Sequence, residues 1–193
     1  MRFSGSYLIA AFLAVASSGC FPLSDGSDWK GAVNHQVSQL GYQNWIIITE
    51  ASFPARNRPG FRQVTASAEV PEVVDYVLNA LEETQHVRPR IYTTREMRSV
   101  ENDFAPGIED MRKRIAASLH GHEPTELDQQ SLITLIDAAN KDYEVLIIRT
   151  PTALPYTSVF MELQPGYWDA ESEDRLRGRI ENEKREKLSQ PTP

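Results

Sequence analysis

From residue 29 onward, apolar and polar residues alternate first in a helical rhythm and then in a strand rhythm. Trp29, Val33, Val37 and Leu40 fall four, four and three residues apart, one stripe of an amphipathic helix over 28–40. Asp28 precedes the stripe as an N-cap and Gly41 follows it as a stop. His35 lies off the stripe and reads as solvated. Trp45, Ile46, Ile47 and Ile48 run apolar without a break, the pattern of a strand over 45–50 with both faces buried. A second strand is expected over 63–68. Pro71 opens the next helix, whose apolar face is Val70, Val73, Val74, Val77, Leu78 and Leu81. "RPRIYTT" predicts a short strand near 90–94. Ile108, Met111, Ile115 and Leu119 predict a helix over 106–119, broken by "HGHEP". Asp128 caps a helix reaching Asn140, with Leu132, Leu135, Ile136 and Ala139 facing inward. "YEVLIIRT" and "SVFMEL" are further strands, joined by the loop "PTALPYT" with a proline near each end.

Strands alternating with helices predict an α/β fold, a single three-layer domain around a central, mostly buried sheet. That domain is expected over 29–168. The ends differ in character. Tyr7 to Ala16, "YLIAAFLAVA", is apolar but shorter than the roughly 20 residues a membrane-spanning helix needs. With Arg2 before it and "SSG" and Cys20 after it, the stretch reads as a lipoprotein signal peptide over 1–19. Cleavage before Cys20 would leave a lipid on its sulfur and a flexible tether over 20–28. This places the protein in the bacterial cell envelope, held to the membrane through Cys20. Ser17 departs from the Leu usual at that position. The alternative is a plain secretory signal with an incidental cysteine. Residues 169–193 are charge-rich and predict an exposed helical tail with opposite charges four apart, such as Glu181 with Arg185 and Glu183 with Lys187. It is either a solvated tail or a docking helix.

Composition narrows the function. Hydrophobic residues make up 40%, enough for a core, and the formal net charge is −7. An acidic chain without a basic, aromatic-interleaved run has no face for phosphate backbones, so nucleic acid is not an expected partner. A single cysteine excludes an internal disulfide. No phosphate loop, nucleophile elbow or zinc helix motif is present.

Candidate chemistry gathers at strand ends, where loops of an α/β sheet converge. Glu50 ends the first strand and could serve as a general base or hold sugar hydroxyls, or it could be a surface residue where the strand emerges. Tyr156 lies in the loop entering the last strand, able to hydrogen-bond or stack on a sugar, or to wedge against the sheet edge. Arg56, Arg58 and Arg62 could meet an anionic group or simply keep their loop soluble. His120 and His122 have a spacing compatible with a metal, but no third ligand is near in sequence, and no metal is expected.

"VSQLGYQNWIIITEASFPAR" (37–56) resembles the opening of the D-ribose pyranase / L-fucose mutarotase family: a helix ending in Leu-Gly, a His, a hydrophobic strand, then Asp-Ala and a Pro turn. "YEVLIIRTPTALPYTSVFMELQPG" (143–166) resembles that family's closing hairpin. The resemblance implies a small α/β protein assembled into a homo-oligomeric ring, with sugar sites near subunit contacts. It implies no metal or organic cofactor, a monosaccharide ligand, and interconversion of its anomers or ring forms. One group would take the anomeric hydroxyl proton while another protonates the ring oxygen. Glu50 then matches the family's Asp, Tyr156 its Tyr, Ser158 its Asn and Tyr42 its His. Catalysis would fall to Glu50, Tyr42 and Tyr156, and substrate contacts to Arg56 and Ser158. Tyr42 is the serious departure: a phenol titrates near 10, against about 6.5 for an imidazole, and is a poor base. The competing expectations are a non-catalytic sugar- or anion-binding lipoprotein and a structural envelope protein whose tail contacts a partner.

Overall fold

The computed structural model describes residues 28–189. In chain order the elements are α1 (Trp29–Val37), β1 (Trp45–Thr49), β2 (Phe61–Thr65), α2 (Val70–Thr84), β3 (Val87–Thr94), α3 (Arg95–Ser99), α4 (Ile108–Ser118), β4 (Thr125–Leu127), α5 (Gln129–Ala139), β5 (Val145–Arg149), β6 (Val159–Pro165) and α6 (Ala170–Ser189). The strands form one six-stranded sheet in the order β2-β5-β1-β6-β3-β4. β6 runs antiparallel to both neighbours, and every other pairing is parallel.

The unbroken apolar runs are explained by burial on both faces of the sheet. Ile46, Ile48, Leu146, Ile148 and Met161 pack with Val33, Val74, Val77 and Ile115 from α1, α2 and α4. The alternating residues Trp45, Ile47, Val145, Ile147 and Phe160 pack on the other side with Leu132 and Ile136 of α5. Each fully buried aliphatic side chain contributes about 1.5–3 kcal/mol, so β1 and β5 anchor the fold. The result is the expected α/β fold, a central sheet flanked by helices.

Several details differ from the sequence pattern. α1 ends at Val37, capped by Asp28 accepting from Gly31 N at 3.1 Å. Leu40 still reaches the core from the following turn. β2 begins two residues earlier than expected. Gly60 takes φ +88°, and its carbonyl accepts from Val145 N at 2.9 Å, which fixes Phe61 opposite Val145. Leu135 is exposed rather than inward, because α5 meets the sheet through Leu132 and Ile136, with Ile133 and Ala139 partly buried beside them. α3 and β4 are too short to leave a periodic signature.

The largest correction concerns the closing pair of strands. β5 and β6 do not form a hairpin, because β1 lies between them. The loop joining them must therefore cross the end of β1, and this crossing builds the site.

Candidate functional site

β1 and β3 both run antiparallel to β6, so β1, β2, β3, β4 and β5 end at one rim of the sheet, where β6 begins. Val159 pairs with Ile48 on one side and Thr93 on the other. One step further, Thr49, Ser158 and Thr94 form a row across that rim.

The crossing loop is fastened to the end of β1 by threonines. Thr150 donates to Thr49 O through both its N–H (2.9 Å) and its Oγ1 (2.8 Å). Thr152 O accepts from Ala51 N at 2.8 Å, and Thr152 Oγ1 accepts from Val70 N at 3.0 Å, capping the start of α2. Thr150, Thr152, Thr157 and Ser158 are all buried. Buried hydroxyls need partners, and these pairings hold the loop over the carboxyl end of β1.

Glu50 sits beneath this loop, 8% exposed. Ser158 Oγ donates to its Oε2. Oε1 has no partner among the described residues. One residue earlier, Thr49 Oγ1 is buried without a hydrogen bond. A carboxylate with one oxygen held and the other free can accept a proton or a hydrogen bond from a ligand hydroxyl.

Tyr156 lies in the same loop with φ 61°, the left-handed region, which costs a non-glycine residue roughly 1–2 kcal/mol. Its carbonyl accepts from Thr94 Oγ1 at 2.9 Å, so the row across the rim holds the strained residue in place. Its ring is half-buried against the core and walls a cavity of about 400 Å³ shared with Arg95, Glu96, Val100, Phe104 and Asp128. The Glu96 carboxylate accepts from Gln129 N at 3.0 and 3.1 Å. Asp128 accepts from the side chain and backbone N–H of Ser131, which hold its carboxyl below the usual range. The phenol of Tyr156 makes no hydrogen bond among the described residues.

The other sequence-expected residues are placed elsewhere. Tyr42 is 55% exposed and precedes β1. Five strand residues at about 3.3 Å each separate it from Glu50, so the two do not meet within one chain. Arg56 and Arg58 both pair with Asp137, at 3.2 and 2.5 Å, and lie over the Phe61 ring. Arg62 pairs with Glu144 at 2.5 Å and donates to Gln36 at 2.9 Å. The arginines thus stitch the loop to α5, α1 and the turn before β5. His120 reaches Asp75 at 2.9 Å and Glu82 at 3.2 Å, and the bond to Asp75 first, then that to Glu82, raises its pKa above the ordinary value. Among the described residues no three His, Cys, Asp or Glu side chains are grouped to hold a metal. Cys20 and the expected signal peptide lie outside the described residues.

Sequence reasoning missed the buried threonines, although three threonines and a serine within 150–158, around Pro151 and Pro155, are an unusual density. It also missed Arg95 and Glu96, which carry no spacing signal.

Neither a family model nor a curated protein matches the chain. Among solved structures, it is similar to RbsD of Bacillus subtilis complexed with D-ribose, at 13% identity and TM-score 0.49, covering 68% of this chain and 89% of that one. It is also similar to the fucose mutarotase of Streptococcus pneumoniae in complex with L-fucose, at 16% identity and TM-score 0.45, covering 66% and 87%.

Proposed function

We propose that this protein binds a monosaccharide at the rim where Glu50 and Ser158 meet, and interconverts its anomers or ring forms. The carrying observation is the nearly buried Glu50 carboxylate, one oxygen held by Ser158 and the other free. It is supported by the resemblance of 37–56 and 143–166 to ribose pyranases and fucose mutarotases. Glu50 Oε1 takes the proton of the anomeric hydroxyl. The bond from the anomeric carbon to the ring oxygen breaks, leaving a carbonyl, and the ring oxygen takes a proton from the Tyr156 phenol. Reclosure on the opposite face of the carbonyl returns both protons. The step needs no oxidant and no metal.

Tyr42 joins such a site only from a second copy, as in a ring. Arg56, paired with Asp137, acts by bracing the loop after β1 and touches sugar only at the edge. The proposed setting is the cell envelope, with the chain anchored through lipid on Cys20. Two-dimensional exchange NMR on D-ribose, L-fucose and D-galactose tests the reading. Absence of acceleration over buffer for every sugar rules out catalysis. Stabilisation by a sugar without exchange supports the second reading, binding alone, which the phenol in place of an imidazole at residue 42 favours.

A further inference from the structure

A second cavity, of about 560 Å³, lies at the opposite end of the sheet from Glu50. β3 supplies Arg88 and Arg90, two positions apart and therefore on one face, with Cα atoms about 7 Å apart. Arg90 lies opposite Glu162 and Arg88 opposite Gln164 of β6. Both arginine side chains are exposed. Arg90 rests over the Tyr92 ring, 5.4 Å from its centroid. Neither arginine makes an ion pair or hydrogen bond among the described residues.

The nearby carboxylates are already engaged. Glu162 accepts from Tyr92 OH at 2.9 Å. Asp169 accepts from Ser172 N at 2.7 Å. Glu173 takes Trp168 Nε1 at 2.8 Å and Arg177 Nε at 2.7 Å. The cavity therefore offers two guanidinium groups without an ion pair or hydrogen bond, Arg88 acting only through space on the Asp169 carboxyl, in a chain whose net charge is −7. Its walls include the exposed Tyr42 and the indole of Trp168, fixed in orientation by its bond to Glu173. Arginine forks recognise planar anions, and aromatic rings pack on the apolar face of a sugar ring.

We propose that this cavity binds an anionic monosaccharide, its carboxylate on Arg88 and Arg90 and its ring against Tyr42 and Trp168. Within one chain the site lies at the far end of the sheet from the Glu50 rim, and it does not depend on catalysis there.

The test is calorimetric titration of the full chain with D-glucuronate, D-glucose and sulfate, in wild type and Arg88→Gln/Arg90→Gln. Both arginines are exposed, so the double variant should keep its melting temperature. A charge-assisted hydrogen bond is worth about tenfold in affinity or more. Glucuronate should therefore bind wild type and lose at least about tenfold in the double variant, with glucose far weaker. Three results would overturn the proposal: unchanged glucuronate affinity in the double variant, equal binding of glucose, or binding of sulfate without glucuronate.

Discussion

The hydrogen bond from Ser158 to Glu50 links the crossing loop to the end of β1, and its coupling energy can be measured. Ser158→Ala leaves the Glu50 carboxylate without its donor at a site that is 8% exposed. Loss of a partner to a buried charged group costs about 1–3 kcal/mol. Taking about 2 kcal/mol, a chain of this size melts roughly 4–8 °C lower. Glu50→Ala removes the acceptor, and Ser158→Ala made on top of it should then cost little. A double-mutant cycle therefore predicts a coupling of about 1–2 kcal/mol. Urea unfolding followed by tryptophan fluorescence measures it, with the slope on denaturant checked to be constant. Additivity within about 0.5 kcal/mol would refute the pairing.

Other predictions test the surrounding structure. His120 bonds Asp75 and Glu82, and its folded pKa lies above the unfolded value. The protonated clip therefore stabilises the fold below about pH 6.5, and this is lost as pH rises through the raised pKa. Because the clip is partly exposed, the gain is about 0.5 kcal/mol. Melting curves at low and high pH should show it, and His120→Gln should remove the difference; an identical pH profile in the variant would contradict the assignment. Truncation after Trp168 removes α6, which has no buried apolar side chain among the described residues. The melting temperature should shift by less than about 2 °C, and a loss of about 10 °C would show that α6 supports the body.

The sequence pattern revealed the elements that bury long apolar stripes. β1 and β5 announced themselves because both of their faces pack, and α2 because its stripe is long and begins at Pro71. What stayed hidden was set by tertiary pairing. Nothing in "VLIIRT" or "SVFMEL" says that β1 inserts between them, since neighbours in a sheet are chosen by the whole packing of layers. The crossing loop follows from that insertion, and with it the burial of Thr150, Thr152 and Thr157. Glu50 and Ser158 were legible as candidates, while their contact, 108 residues apart in sequence, was not. Tyr42 was placed with Glu50 by resemblance, and the intervening strand separates them. The arginines after β1 suggested an anion site, but Asp137 and Glu144 occupy them. The pair without an ion pair among the described residues is Arg88 and Arg90, whose spacing on β3 becomes informative only once the structure shows both exposed beside one cavity.

The most direct test of the proposed chemistry compares anomer exchange rates for wild type and Glu50→Gln on whichever of D-ribose, L-fucose and D-galactose the wild type accelerates. Glutamine keeps an oxygen that can accept from Ser158, so the fold and the loop should persist while the base is lost. The account predicts acceleration by the wild type and a fall of about 100-fold or more in the variant. An unchanged exchange rate in a folded Glu50→Gln protein would contradict it.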